Sequence, residues 1–251
     1  MSVKKILLAS FLVAMMLLPI GKASGALLTN SSLSLSCPSG HSCLPAVFAA
    51  ESEQTEPEKI IYLTFDDGPD PKWTPQILDI LARYQAGATF YMIGRNAATF
   101  PEIVRMIAEH NQNIAIHGFN HIDMSNLDYQ TFSLEVQDTE AVIMRALQAE
   151  PSLASQFGRC LRPPYGLTSD RLYQTARQMG YEVSMWNIDT NDWKQPNPEE
   201  MLSELLKGLE PGKIILMHDG GKEREQTLLG LQLILHELIM QGYKIKPLCS
   251  Y

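Results

Sequence analysis

From Lys59 onward, two hydrophobic periods alternate along the chain. The run Lys59-Ile-Ile-Tyr-Leu-Thr-Phe65 is short, β-branched and aromatic, which predicts a buried strand. Between Thr74 and Tyr84 the apolar residues fall at Ile77, Leu78, Ile80 and Leu81, the spacing of one helix face. The exchange then repeats. A strand over Ala88–Ile93 precedes a helix over Pro101–His110 that opens on proline, and a strand over Asn113–Ile116 precedes a long helix over Tyr129–Gln148. Tyr181–Trp186 reads as a strand and Glu199–Gly208 as a helix. Lys213–Met217 is again a strand, Thr227–Gln241 a helix, and Tyr243–Pro247 a last strand. Strands alternating with helices predict an α/β protein of parallel β/α units, its sheet covered by helices. With no internal repeat and no second domain visible, residues 59–251 read as one domain.

The pattern before residue 59 is different. Lys4 and Lys5 precede an apolar run from Ile6 to about Ile20, followed by the small residues Gly21, Ala23, Ser24, Gly25 and Ala26. A basic start, a short apolar stretch and a small-residue exit predict a secretory signal peptide over residues 1–25, with Ala23 as another possible last residue. The run is shorter than the roughly 20 residues of a spanning helix, so no membrane span is expected after cleavage. Residues 26–58, rich in Ser, Pro and Glu, read as a flexible linker. A secreted protein is expected: extracellular, periplasmic or cell-wall associated.

Composition adds two filters. Of 251 residues 45% are hydrophobic and 19% charged, enough for a sizeable core. The formal charge is −8. Loss of Lys4, Lys5 and Lys22 would leave 17 basic against 28 acidic residues, near −11, which disfavours nucleic acid and other polyanions as partners. Four cysteines, Cys37, Cys43, Cys160 and Cys249, fit an oxidising compartment. Cys37 and Cys43 flank a short loop that could close on itself and leave Cys160 for Cys249, but four cysteines allow three pairings and the sequence does not choose. Without a Cys-x-x-Cys spacing, disulfides are favoured over a thiolate metal site.

In parallel β/α architectures, sites form at the carboxyl ends of the strands. Ionisable residues sit at four such exits: Asp66-Asp67, His117, Asp192 and His218. His117 and His121, four apart, can face one ion, and Asp67 offers a hard anionic third ligand. Two imidazoles and a carboxylate leave open positions for water and substrate, as a hydrolytic Zn²⁺ needs. With Asp67 on the metal, the adjacent Asp66 is free to take a proton from water. Taken alone, Asp66-Asp-Gly-Pro69 is a plain turn, Arg162-Pro-Pro-Tyr165 a stiff connector, and Trp193, Trp186 and Leu216 core residues. Trp186, inside a strand pattern, keeps the core reading.

Together the segments say more. Thr64-Phe-Asp-Asp-Gly-Pro69, His117-Gly-Phe-Asn-His121, Arg162-Pro-Pro-Tyr165, Asp189-Thr-Asn-Asp-Trp193 and Leu216-Met-His218 occur in that order. They resemble the five motifs of the polysaccharide deacetylases that share the NodB homology domain (carbohydrate esterase family 4), over roughly residues 59–248. The resemblance implies a distorted (β/α) barrel of about seven parallel strands covered by helices. It also implies metal ligation by Asp67, His117 and His121, with Asp66 as general base and His218 as general acid. Arg162 would pair with Asp66, and Asp192 would orient His218 and raise its pKa. Trp193 and Leu216 would line the groove for the acetyl methyl, and the backbone N–H of Tyr165 would help stabilise the oxyanion. One position departs from the pattern: Gly118 stands where the family usually has Ser or Thr, and loss of that hydroxyl would loosen the histidine loop.

The expected function is metal-dependent removal of N-acetyl groups from a GlcNAc-containing polysaccharide, either chitin oligosaccharide or peptidoglycan. The ion would be Zn²⁺, with Co²⁺, Mn²⁺ or Ni²⁺ able to serve. An N-acetylated glycan is the expected partner, and the protein is expected to be a monomer. The alternatives are O-deacetylation of acetylated xylan, hydrolysis of a small cyclic amide (against which the signal peptide argues), and a non-catalytic carbohydrate-binding wall protein. Loss of Asp66 or His218 would have marked the last, and both are present.

Overall fold

The computed structural model describes residues 58–148 and 150–249. The expected signal peptide, the linker up to residue 57 and the cysteines at 37 and 43 lie outside the described residues. The strands are β1 (Ile60–Asp66), β2 (Ala88–Met92), β3 (Asn113–Ile116), β4 (Phe157–Leu161), β5 (Glu182–Val183), β6 (Ile188–Asp189), β7 (Ile214–His218) and β8 (Lys244–Lys246). The helices are α1 (Thr74–Tyr84), α2 (Gly94–Thr99), α3 (Pro101–Glu109), α4 (Tyr129–Leu147), α5 (Asp170–Gln178), α6 (Pro198–Gly208) and α7 (Glu225–Met240). All pairings are parallel, in the order β5-β4-β3-β2-β1-β7-β6, with β8 added against the start of β1. Seven strands curl into a half-barrel covered by helices, the distorted (β/α) barrel expected. Among the described residues no pairing joins β5 to β6, so the curl stays open there.

The two-residue period of the strands sorts every side chain. On β1, Leu63 and Phe65 face the helices, and Phe65 stacks on Phe90 of β2 at 5.1 Å. On β3, β4 and β7 the helix-facing residues are Ile114 and Ile116, Leu161, and Ile215 and Met217. Chiefly α1, α3, α6 and α7 bury the larger apolar cluster, while α4 and α5 bury a smaller one around Ile116, Phe132 and Leu161. The opposite parity points into the curl: Thr64 and Asp66, Tyr91, Ala115, Cys160, Leu216.

Local signals start the helices. Asp128 accepts from Thr131 N at 2.9 Å to cap α4, Ser169 caps α5 through Leu172 N, and Asn197 caps α6 ahead of Pro198. The alternation missed β4, β6, α2 and α5. It also drew one strand over Tyr181–Trp186, where only Glu182–Val183 pairs and β6 begins at Ile188. Beneath the curl, the tail after β8 crosses the first residues of β2 and β3. The Leu248 carbonyl accepts from Thr89 Oγ1 at 2.7 Å and from Asn113 Nδ2 at 3.0 Å. Cys249 closes a disulfide with Cys160. No helix of the described residues is long and apolar enough to cross a membrane.

Candidate metal centre and active site

Register assembles the site. Asp66, last in β1, is the pairing partner of both Tyr91 on β2 and His218 at the end of β7. Three strands from β1, β4 delivers Arg162 just past Leu161. Its side chain is fully buried and runs across the inside of the curl. Nη1 donates to Asp66 Oδ1 and to Thr64 Oγ1, both at 2.8 Å. Nε donates to the Ser184 carbonyl at 3.0 Å and Nη2 to that of Met185 at 3.3 Å. The guanidinium lies over the Tyr91 ring, 4.1 Å from its centroid. A buried cation is tolerable only when its donors are filled, and this one is ringed by acceptors.

The metal trio follows from three local conformations. β1 ends into Asp67, whose φ of 77° turns the chain out of the strand. Its carbonyl is held by Asn96 Nδ2 at 2.9 Å, and Gly220 packs so close to that carbonyl that a Cβ there would lie 2.3 Å from the oxygen. His117 directly follows β3, and the chain beyond it is an irregular loop, with His121 at φ 57°. Among the described residues Asp67, His117 and His121 form a group able to hold a metal, their ligand atoms all within 4.8 Å of one another. Nδ1 of His117 lies 2.8 Å from the Arg162 carbonyl and donates to it, which leaves Nε2 as the lone-pair atom facing Asp67. Nε2 of His121 lies 3.1 Å from Asp67 Oδ1 and that of His117 3.5 Å, yet Oδ1 is buried without a hydrogen-bond partner. Two imidazole nitrogens converging on one buried carboxylate oxygen suit a divalent ion.

The field points the same way. Burial works against the charge on Asp67, but both imidazoles outweigh it and hold the carboxyl far below the usual range. Burial likewise opposes charge on His117, which Asp66 and Asp67 nonetheless lift above its ordinary value. The two carboxylates draw positive charge to this spot.

The other wall carries His218. Its Nδ1 lies 2.8 Å from Asp192 Oδ1, and its backbone N–H donates to Asp192 Oδ2 at 2.9 Å. Thr227 Oγ1 also donates to Oδ2, at 3.0 Å, so the fully buried Asp192 is fixed from three sides. Burial opposes the imidazolium, but Asp192, with Asp66 and Asp67 behind it, pushes His218 up to about 9. Next along the chain, burial pushes the Asp219 carboxyl up to about 7, with Thr74 Oγ1 donating to it at 2.6 Å.

Between the walls lies a cleft of about 610 Å³. It is lined by eight of the ten residues singled out in the sequence; Arg162 and Asp192 stand behind, beneath Asp66 and His218. Trp193, 44% exposed, and the buried Leu216 form part of the lining. Tyr165, at φ 62°, stands 64% exposed, its hydroxyl donating to the His121 carbonyl at 3.1 Å. Trp186 corrects the core reading: it is half-buried outside any strand, lines the cleft, and packs where a side chain on Gly166 would lie. The sequence reading missed Tyr91 and Glu135. Glu135 had a legible sign, a carboxylate among the inward positions Phe132, Val136, Thr139 and Ile143 of a helix.

Comparison with known proteins gives the family. The family described as Polysaccharide deacetylase matches residues 53–184. A peptidoglycan-N-acetylglucosamine deacetylase of Bacillus cereus is 38% identical, the alignment covering 74% of this chain and 85% of that protein. A chitooligosaccharide deacetylase of Bradyrhizobium is 33% identical, over 75% of this chain and 88% of that one. Among solved structures, the Bc1960 peptidoglycan N-acetylglucosamine deacetylase superposes with a TM-score of 0.71 at 29% identity, covering 76% of this chain and 87% of that one.

Proposed function

Because this chain belongs to the polysaccharide deacetylase family and is a hydrolase of that kind, we propose that it removes N-acetyl groups from a GlcNAc-containing polysaccharide outside the cytoplasm, with Zn²⁺ as the best-fitting ion. The observation that carries the reading is the pair of walls around one cleft: a carboxylate bonded to a buried arginine on one side, an imidazole bonded to a buried aspartate on the other, and the ligand trio between. Asp67, His117 and His121 would hold the ion, which when bound would supply Lewis-acid polarisation of the acetyl carbonyl and a lowered pKa for water.

The remaining work falls to the chain. Asp66, fixed by Arg162, takes the proton from the attacking water. The backbone N–H of Tyr165 is assigned to the negative charge that develops on the carbonyl oxygen. Trp193 and Leu216 receive the acetyl methyl. His218, its Nδ1 committed to Asp192, gives a proton from Nε2 to the departing nitrogen. An amine cannot leave as an anion, so an acid that stays protonated at neutral pH suits amide cleavage. The relatives named for peptidoglycan and for chitooligosaccharide both support an N-acetylated glycan.

Acetate release from chitin oligomers, peptidoglycan and acetylated xylan, with and without chelator, tests the reading. Release from either N-acetylated glycan that stops with chelator and returns with Zn²⁺ is the expected result. Inactivity on all three after verified metal loading overturns it.

A further inference from the structure

The loop between the two histidines has no ladder or helix to hold it, yet its peptides are fixed on both faces. On one face the start of α2 binds its carbonyls: Gly94 N donates to Gly118 O at 2.9 Å and Arg95 N to Phe119 O at 3.1 Å. On the other face stands a single carboxylate, Glu135 of α4, only 5% exposed. Its Oε2 accepts from Phe119 N at 2.7 Å and Asn120 N at 2.9 Å, and its Oε1 accepts from Asn120 Nδ2 at 2.7 Å. A carboxylate withdrawn from water is costly unless its lone pairs are filled, and each of these oxygens bonds to this loop.

Gly118 belongs to the same arrangement. Its φ of +72° is one that side chains rarely adopt, and a Cβ there would lie 3.3 Å from Glu135 Oε2 and from Met124 Sδ. The glycine gives the carboxylate room at the loop, where the family resemblance led us to expect a hydroxyl. Resting on the metal reading of Asp67, His117 and His121, we propose that Glu135 is the positioning residue of the metal centre. From α4 it holds residues 118–120 in the shape that aims both imidazoles at Asp67. It contacts neither ion nor substrate.

The test is titration of the full chain with Zn²⁺, and with Co²⁺ followed by its absorption spectrum, near-ultraviolet circular dichroism confirming the fold of each variant. Glu135→Ala is expected to weaken Zn²⁺ binding about 10–100-fold, the usual cost of removing a group that orients metal ligands. Glu135→Gln, which keeps one acceptor oxygen in the same volume, is expected to fall between, and carries the test if the alanine variant does not fold. Val136→Ala, buried beside Glu135 on the same helix, perturbs packing without touching the loop bonds and is expected to leave affinity unchanged. The inference is overturned if the Glu135 variants bind Zn²⁺ as tightly as the parent, or if Val136→Ala weakens binding as much. A parent chain that binds neither ion overturns the metal reading itself, and this inference with it.

Discussion

The inside of the curl holds two layers that obey the same strand parity and solve opposite problems. The upper layer, at the strand ends, sets Asp66, His117 and His218 around an open cleft, with Arg162 behind Asp66. The lower layer, where β2 and β3 begin, sets Thr89, Asn113 and Cys160 beneath the chain's own tail. Above, unlike charges face each other and leave lone pairs and one imidazole nitrogen for a ligand. Below, neutral hydrogen bonds and a covalent bridge leave little open. Arg162 joins the layers, bonded to Asp66 and stacked on Tyr91, whose hydroxyl lies 3.5 Å from Cys249 Sγ. One cross-section of a barrel thus serves chemistry at one end and closure at the other, according to whether its inward residues are charged.

The largest break should come from the residue shared by both layers. Arg162→Ala strands a buried carboxylate, and is expected to cost about 3–5 kcal/mol of unfolding free energy and most turnover. Denaturant unfolding with acetate release measures both. Next, Asp66→Asn should lower turnover about 10²–10⁴-fold while Zn²⁺ stays bound, whereas His117→Ala should lose turnover and metal together. In the parent, Zn²⁺ binding should weaken as pH falls, since protons compete for the lifted His117.

Asp192→Asn sharpens the upper layer without emptying it. Burial then acts on His218 without its main counter-charge, so the imidazole should titrate well below about 9 by NMR. The alkaline limb of the rate should move to lower pH with it, because the acid works only while protonated. The sign for stability agrees: a raised folded pKa means that stabilisation is present below the unfolded value and lost as pH rises through about 9. The smallest chemical effect belongs to the lower layer. Cys249→Ser opens a bridge spanning 89 residues and should cost about 2–5 kcal/mol of stability, with turnover below the unfolding range unchanged. A loss of turnover there would show that Tyr91 transmits the floor to Arg162.

What the sequence made legible follows the same division. α1 spans the predicted Thr74–Tyr84, and the four strand exits with ionisable residues converge as expected, because parity and architecture alone place them. Phe157–Leu161 escaped because Gly158 and an exposed Arg159 interrupt its apolar run, and α5 because Leu172 and Ala176 are almost its only apolar residues. The strand drawn through Tyr181–Trp186 stops at Val183 since Arg162 takes the Ser184 and Met185 carbonyls. The helical period marks Glu135 only as an inward carboxylate; what it and Tyr91 touch is set by tertiary contacts, which no local period encodes.

The pairing of β1 with β7 has a consequence in time. The chain is made from its N-terminus, and the trio able to hold an ion is complete in sequence at His121, whereas the proposed acid arrives only with His218 and its brace with Thr227. Thr64 and its bond partner Ile215 stand 151 residues apart, a slow, late contact in folding. On the proposed roles, a chain cut short before His218 would lack the acid, whatever its ligand trio can hold. On those roles, the reaction would wait until the last third of the polypeptide has found the first strand.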